Sequence, residues 1–310
     1  MTATQAQTVQ VSPLGDDLAF LDITTAWDVE SIYHEWKVGI VVPETFRPGP
    51  APRVIAVCNQ KGGAGKTTSA LELAMALIAR GLRVRLIDAD PQEASLSVWL
   101  RFFYPEDLPA EKRYNLMHLY FDNKLTLADI TYPTPYEGLF FVPSYPDLAD
   151  VESKHPAGTD TQLQFHLQKG DDGFDVTIID CGPSLGQLTV SALVAAHDVI
   201  IPVQAASGLD VRGAAALNRS IASVQERLNP SLRVAAVFLT DFEKSGLARQ
   251  IGGRLAKAYP GAVIVPARTS VRIGEAQLAR EPLRTFAGAA TTVLDYDRAA
   301  HVLIDLKAAG

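Results

Sequence analysis

The run Val54-Ile55-Ala56-Val57-Cys58-Asn59-Gln60-Lys61-Gly62-Gly63-Ala64-Gly65-Lys66-Thr67-Thr68 decides how this chain is read. Its first four residues are apolar and predict a short buried strand. The stretch 67–80, with Leu71, Leu73, Ala74, Ala76 and Leu77 at helical spacing, predicts a helix. Between them lies a glycine-rich turn. Glycines let backbone N–H groups turn inward around phosphate oxygens, and the following helix presents the positive end of its dipole there. Lys66 is placed to reach the β- and γ-phosphates and the Thr67 hydroxyl to ligate Mg²⁺, while Gly62, Gly63, Ala64, Gly65 and Thr68 complete the cradle. The ordinary pattern wants a glycine where Gln60 stands, and this variant carries an additional lysine, Lys61.

Outward from the loop, short β-branched-rich runs recur at 84–87, 139–142, 176–179, 199–203, 234–239 and 262–265, most of them separated by helical segments. Continuous apolar strands between helices predict an α/β fold, a mostly parallel twisted sheet with helices on both faces. Residues 101–137, rich in aromatics and punctuated by proline, give no clear pattern, and no internal repeat is visible. Residues 1–52 differ from the rest. They hold Asp16, Asp17, Asp22, Asp28, Glu30, Glu35 and Glu44 against Lys37 and Arg47, with one candidate helix at 26–37 carrying Trp27, Tyr33 and Trp36. Pro43, Pro48, Pro50 and Pro52 then make a stiff connector. The chain thus divides into an acidic extension, 1–52, that docks its aromatics on the body or on a partner, and a nucleotide-binding domain, 53–310.

Two carboxylates follow strands. Asp88-Ala89-Asp90-Pro91-Gln92 closes the second strand, and Phe174-Asp175-Val176-Thr177-Ile178-Ile179-Asp180 is an apolar strand ending in an acid. Alone, Asp90 reads equally well as a turn or helix-capping residue, and Asp180 as a common strand ending. Beside a phosphate loop, both become candidates for the Mg²⁺ shell.

Composition narrows the class. A chain of 310 residues, 47% hydrophobic, can bury a large core. The first ten residues hold neither a cationic stretch nor an apolar h-region, and no run of about 18 apolar residues occurs. Cys58 and Cys181 are the only cysteines, too few for a disulfide framework or a zinc cluster. These features predict a soluble, cytoplasmic protein. Residues 205–310 hold 14 Lys/Arg against 9 Asp/Glu on a chain of net charge −7. That excess reads as an anionic-polymer footprint or as solvated helix faces.

Lys-Gly-Gly-x-Gly-Lys-Thr, standing at 61–67, resembles the deviant Walker motif of the ParA/MinD family, closest to its ParA-type, Soj-like partition ATPases. The resemblance covers roughly residues 53–300. It implies an ATPase, weak unless stimulated, that works with ATP and Mg²⁺ as an ATP-bridged homodimer. Lys61 would reach the partner's ATP, and Lys61, Lys66 and Asp90 would be the catalytic set. Asp90 would order the attacking water, and Thr67, Asp90 and Asp180 would surround the metal. Cys181-Gly182-Pro183-Ser184 matches the second switch, with Gly182 where a proline is common, and Val271-Arg272-Ile273-Gly274-Glu275-Ala276 matches a late segment near the adenine. Thr269 and Ser270 stand where Arg and Asn are common. The tail, 297–307, suits a helix packed on the body and holds too few cations for the membrane anchor of MinD-like relatives. The cysteines match neither the cluster ligands of nitrogenase-reductase relatives nor a Cys-x-x-Cys. The partition class remains. It implies non-specific DNA binding in the ATP state, release on hydrolysis stimulated by a ParB-like centromere-binding or adaptor protein, and a nucleoid-associated location. Arg249, Arg254 and Arg272 are the candidate DNA contacts. Two other readings stay open: positioning of a non-DNA cargo through residues 1–52, and a small-molecule ligase of the same fold.

Overall fold

A computed structural model describes residues 7–9, 23–25, 40–92, 95–169, 173–205 and 211–305. Seven parallel strands form its centre: β1 (Arg53–Val57), β2 (Val84–Ala89), β3 (Leu139–Val142), β4 (Val176–Cys181), β5 (Asp198–Gln204), β6 (Arg233–Phe242) and β7 (Val263–Arg268). Their spatial order is β7-β6-β5-β1-β4-β2-β3. All seven expected runs form strands. The chain enters the parallel sheet at β1 in the middle, between β4 and β5, and the loop that follows it emerges at the carboxyl edge, where open α/β sheets bind ligands.

Alternation along these strands divides the core in two. Ala56, Ile87, Ile179, Val199 and Val237 point to one face, where they meet helices α3 (Gln187–Ala195), α4 (Val211–Arg227) and α5 (Gly246–Ala258), whose labels follow α1 (Lys66–Ile78) and α2 (Ser95–Trp99) in the chain. Ile55, Val57, Leu86, Ile178 and Phe238 point to the other face, against α1 and α7 (Thr291–Leu303), which follows α6 (Val271–Ala279). Helix α1 lies between sheet and α7, so it is buried nearly all round. Small residues at Ala70, Ala74 and Ala76 let both neighbours approach it. Up to Asp305, the last residue described, the tail therefore packs on the body, as its pattern suggests.

Buried polar ties hold the C-terminal segment to α1. The Ser69 and Tyr296 hydroxyls lie 3.1 Å apart, and Leu283 N–H donates to Glu72 Oε1 at 2.6 Å. Burial pushes the Glu72 carboxyl up from 4.5 to about 7, against the opposing pull of the Leu283 amide and Arg284. The fold thus favours the protonated acid. Its contribution to stability is full below about pH 4.5 and is lost as pH rises through 7, roughly 3 kcal/mol in all. Glu72→Gln is expected to leave stability near pH 4.5 unchanged and to raise it above pH 7. Urea unfolding of both proteins across that range checks this.

Two regions depart from a simple alternation. Within 101–137 the aromatics pack on one another instead of following a period: Phe102, Tyr104 and Tyr132 have ring centroids 5.2–5.5 Å apart, and Phe102 also meets Phe141. Tyr132–Pro133 adds an antiparallel edge to β3. From the extension, Ile40–Val41 pairs antiparallel with β7, Ile23–Thr25 and Gln7–Val9 follow outside it, and Gly49–Pro50 pairs with Ile304–Asp305. Ile40 and Phe46 are buried, so the connector is built into the body. The candidate helix at 26–37 lies outside the described residues. Among those residues no helix is long and apolar enough to cross a membrane.

Candidate nucleotide site

The loop between β1 and α1 is shaped by three local devices. Gly63 and Gly65 have φ of 70° and 85°, the left-handed region, and a Cβ on Gly65 would stand 3.0 Å from the Thr240 methyl. Asn59 pins the entrance: its amide donates to Pro202 O at 2.5 Å and its oxygen accepts from Lys61 N–H at 3.1 Å. Thr240, from β6, donates to Ala64 O at 2.9 Å and holds the far side. The Lys66 ammonium curls back over the loop, 3.4 Å from Lys61 O, with only 7% of the residue exposed.

A cavity of about 750 Å³ opens in front of this loop. Residues 62–68 form its floor, and Asp90, Gln92, Val98 and Trp99 form one wall. Thr240, Asp241, Ala267, Arg268, Ile273, Gln277, Thr292 and Tyr296 form the other, with Pro183 at the rim. Lys61 stands outside it. Thr269 and Ser270 do not line it either. The Ser270 hydroxyl caps α6 by accepting from Arg272 N–H at 3.2 Å, and the wall is made by the residues just before them.

The acids are not equivalent. Asp180, at the end of β4, is fully buried; the Thr67 hydroxyl is a hydrogen-bonding neighbour of its carboxylate, which is otherwise without a close partner among the described residues. Burial first, then repulsion from Asp88, raises its pKa well above the ordinary carboxylate value, while the Thr67 hydroxyl and the Lys66 ammonium pull it down. Asp88 stands opposite it in register on β2 but is occupied: it accepts from Ser97 N–H and Oγ–H at 3.2 and 3.1 Å and from Asp90 N–H at 3.3 Å. Burial puts its pKa at about 6. Asp90 lines the cavity, and its Oδ1 accepts from Gln92 N–H at 2.9 Å in a tight turn. A Cβ at Gly182 would come within 2.9 Å of that same Oδ1. Glycine there lets the turns at Asp90 and Gly182 touch.

The donor set fits Mg²⁺. A fully buried carboxylate supported only by a threonine hydroxyl and the Lys66 charge, with a cavity-facing Asp90 close by, suits a compensating cation. No group of three or more His, Cys, Asp or Glu able to hold a metal occurs among the described residues, so phosphate oxygens and water would supply the other ligands. The cysteines are buried, and burial pushes the Cys58 thiol up to about 12, which leaves it unreactive.

The three candidate DNA arginines do not share one element. Arg249 and Arg254 lie on α5, half-buried and exposed respectively, on the side of the sheet covered by α3 and α4. Arg272 lies on α6 beside the cavity wall, ion-paired with Glu275 at 2.7 Å. Sequence reading missed Thr240, Asp241 and Trp99 as wall residues. Asp241, a non-glycine residue at φ 50°, carries no local sequence signal for that conformation.

A central strand, a glycine loop over a helix N-terminus and a buried strand-ending acid beside them define a P-loop nucleotide-binding protein. Comparison with known proteins narrows the class. Residues 52–234 match the family described as AAA domain. The chain is 35% identical over 233 residues to the chromosome-partitioning ATPase Soj of Thermus thermophilus, covering 72% of this chain and 84% of Soj. It is 34% identical over 275 residues to an uncharacterized protein of Mycobacterium tuberculosis, covering 85% and 84%. Among solved structures, cobyrinic acid a,c-diamide synthase from Mycobacterium smegmatis with bound ADP and magnesium superposes with a TM-score of 0.66 at 32% identity, covering 80% of this chain and 92% of that one. The Cyanothece McdA–ATP complex, TM-score 0.68 at 21% identity, shares the fold. This protein belongs to the ParA/MinD-type P-loop ATPases of the AAA domain family.

Proposed function

We propose that this protein binds Mg²⁺·ATP on the 62–68 loop, dimerises across the two nucleotides, binds DNA without sequence preference in that state, and is released by hydrolysis that a ParB-like partner stimulates. Plasmid or chromosome partition would be its task. The observation that carries the dimer is Lys61. It belongs to the phosphate loop, yet it does not line the cavity its own loop floors, which suits a cation serving a nucleotide on another copy. Lys66 compensates phosphate charge from within the cavity, Thr67 and Asp180 would hold the metal, and Asp90 orients the attacking water from the wall. Mg²⁺, when bound, neutralises charge on the phosphate oxygens.

Helix α5 is the better DNA surface. Arg254 is exposed and Arg249 half-buried on one helix, whereas Arg272 is already paired with Glu275. Dimerisation would double the phosphate-facing charge, so binding would weaken steeply with salt. The test is a DNA mobility shift with ATP, ADP or no nucleotide at fixed salt, on wild type, Arg249→Glu/Arg254→Glu and Lys61→Ala. The expected result is an ATP-dependent, sequence-indifferent shift. The arginine pair should lose it with ATP binding intact, and Lys61→Ala should lose it through failed dimerisation. A shift unaltered by the arginine pair would remove α5 from the account. No shift at all, with ATP-driven dimers present, would favour a non-DNA cargo taken by residues 1–52.

A second reading rests on the likeness to the solved cobyrinic acid a,c-diamide synthase: an ATP-dependent amide ligase. It requires turnover that depends on a carboxylic acid and a nitrogen donor and ignores DNA.

A further inference from the structure

The short helix α2, which follows the turn carrying Asp90, is tied on two sides. Inward, Ser97 donates to Asp88, and its hydroxyl also lies 3.1 Å from Ser144 O. Outward, Trp99 Nε1–H donates to Glu281 O at 2.7 Å, and the exposed Arg101 donates to Ala279 O at 3.1 Å. The receiving turn ends α6, whose Ile273 and Gln277 line the cavity. Glu72 of α1 holds the same turn through Leu283 N–H. Arg101 and Arg280, the residues at the two helix ends that meet here, have φ of 46° and 57°. Side chains other than glycine keep that conformation where surrounding contacts over-determine it. The turn at 280–283 is thus clasped between the phosphate-loop helix and the segment that carries Asp90.

We propose that Trp99 is a positioning residue. Its indole N–H, through the Glu281 carbonyl, joins the α6 wall to the Asp90 segment as one body, so a base seated against Ile273 and Gln277 sets where Asp90 stands relative to the γ-phosphate. This rests on the ATPase reading above. It differs from simple core filling because the Trp99 bond runs to a main-chain oxygen of the wall, and because Trp99 itself lines the cavity at 4% exposure.

Trp99→Phe keeps an aromatic side chain, one ring smaller, and removes the donor. Its kcat for Mg²⁺·ATP should fall about fivefold, as one net hydrogen bond implies, while its Mg²⁺·ADP dissociation constant stays within about twofold. Arg101→Ala, at an exposed position that does not threaten folding, should lower kcat about twofold, the lower end of that range. Hydrogen exchange supplies a readout independent of turnover. Mg²⁺·ADP should protect residues 95–101 and 271–283 together in the wild type, and only 271–283 in Trp99→Phe. An unchanged kcat, a parallel loss of kcat, ADP affinity and thermal stability, or protection of 95–101 that survives in Trp99→Phe would overturn the proposal. A wild-type protein that turns over no ATP would sink the ATPase reading instead, and the exchange comparison would still decide the clasp.

Discussion

Lys66→Ala is expected to raise the dissociation constant for Mg²⁺·ATP by about 10²–10³-fold, the usual cost of truncating one member of a buried charge pair. Titration with a fluorescent ATP analogue would measure it. Lys66, 7% exposed at the start of α1, has its ammonium 3.4 Å from Lys61 O and close enough to Asp180 to interact with its charge. Its counter-charges are the nearby Asp180 carboxylate and the incoming phosphates. Without it, backbone N–H groups and the helix dipole remain, worth far less against a multiply charged phosphate chain. The fold should survive, because the loop's shape rests on Asn59, Thr240 and the glycines. Retained affinity would mean that the backbone cradle alone carries the phosphates.

The loop was legible because its chemistry is local: glycines, a lysine and a threonine at fixed spacing do their work within ten residues. The parallel strands were legible because each is apolar on both faces and short. What the chain order hides is whatever the sheet brings together at its carboxyl edge. Thr240 grips Ala64 across 176 positions, and Trp99 reaches Glu281 across 182. Neither has a local pattern, since a threonine ending a strand and a tryptophan in a short helix occur for many reasons. The meaning of Gly182 was equally out of reach. From sequence it stands only where a proline is common in the resembling family, whereas the fold uses the missing Cβ to admit the Asp90 carboxylate. Residues 101–137 failed for another reason. Their aromatics form an edge-packed cluster that fills space without any period. The arginines chosen for DNA illustrate the opposite limit, since charge counts in sequence carry no information about which face a side chain occupies.

Asp90→Ala is expected to bind ATP with near wild-type affinity and to hydrolyse it about 100-fold more slowly, accumulating the ATP-bound dimer. Asp88 and Asp90 stand two residues apart, and the structure gives them different surroundings. Asp88 is fully buried, takes its hydrogen bonds from Ser97 and from the Asp90 amide, and does not line the cavity, so its role is to hold the turn. Asp90 does line it. Its Oδ1 accepts from the Gln92 amide and lies against the turn at Gly182, where a Cβ would come within 2.9 Å of it. Removing it takes no group from the phosphate loop, so binding should persist while the water loses its guide. Single-turnover hydrolysis read beside light scattering tests this. Slow turnover with a persistent dimer fits the assignment, whereas unimpaired turnover would transfer water positioning to another group.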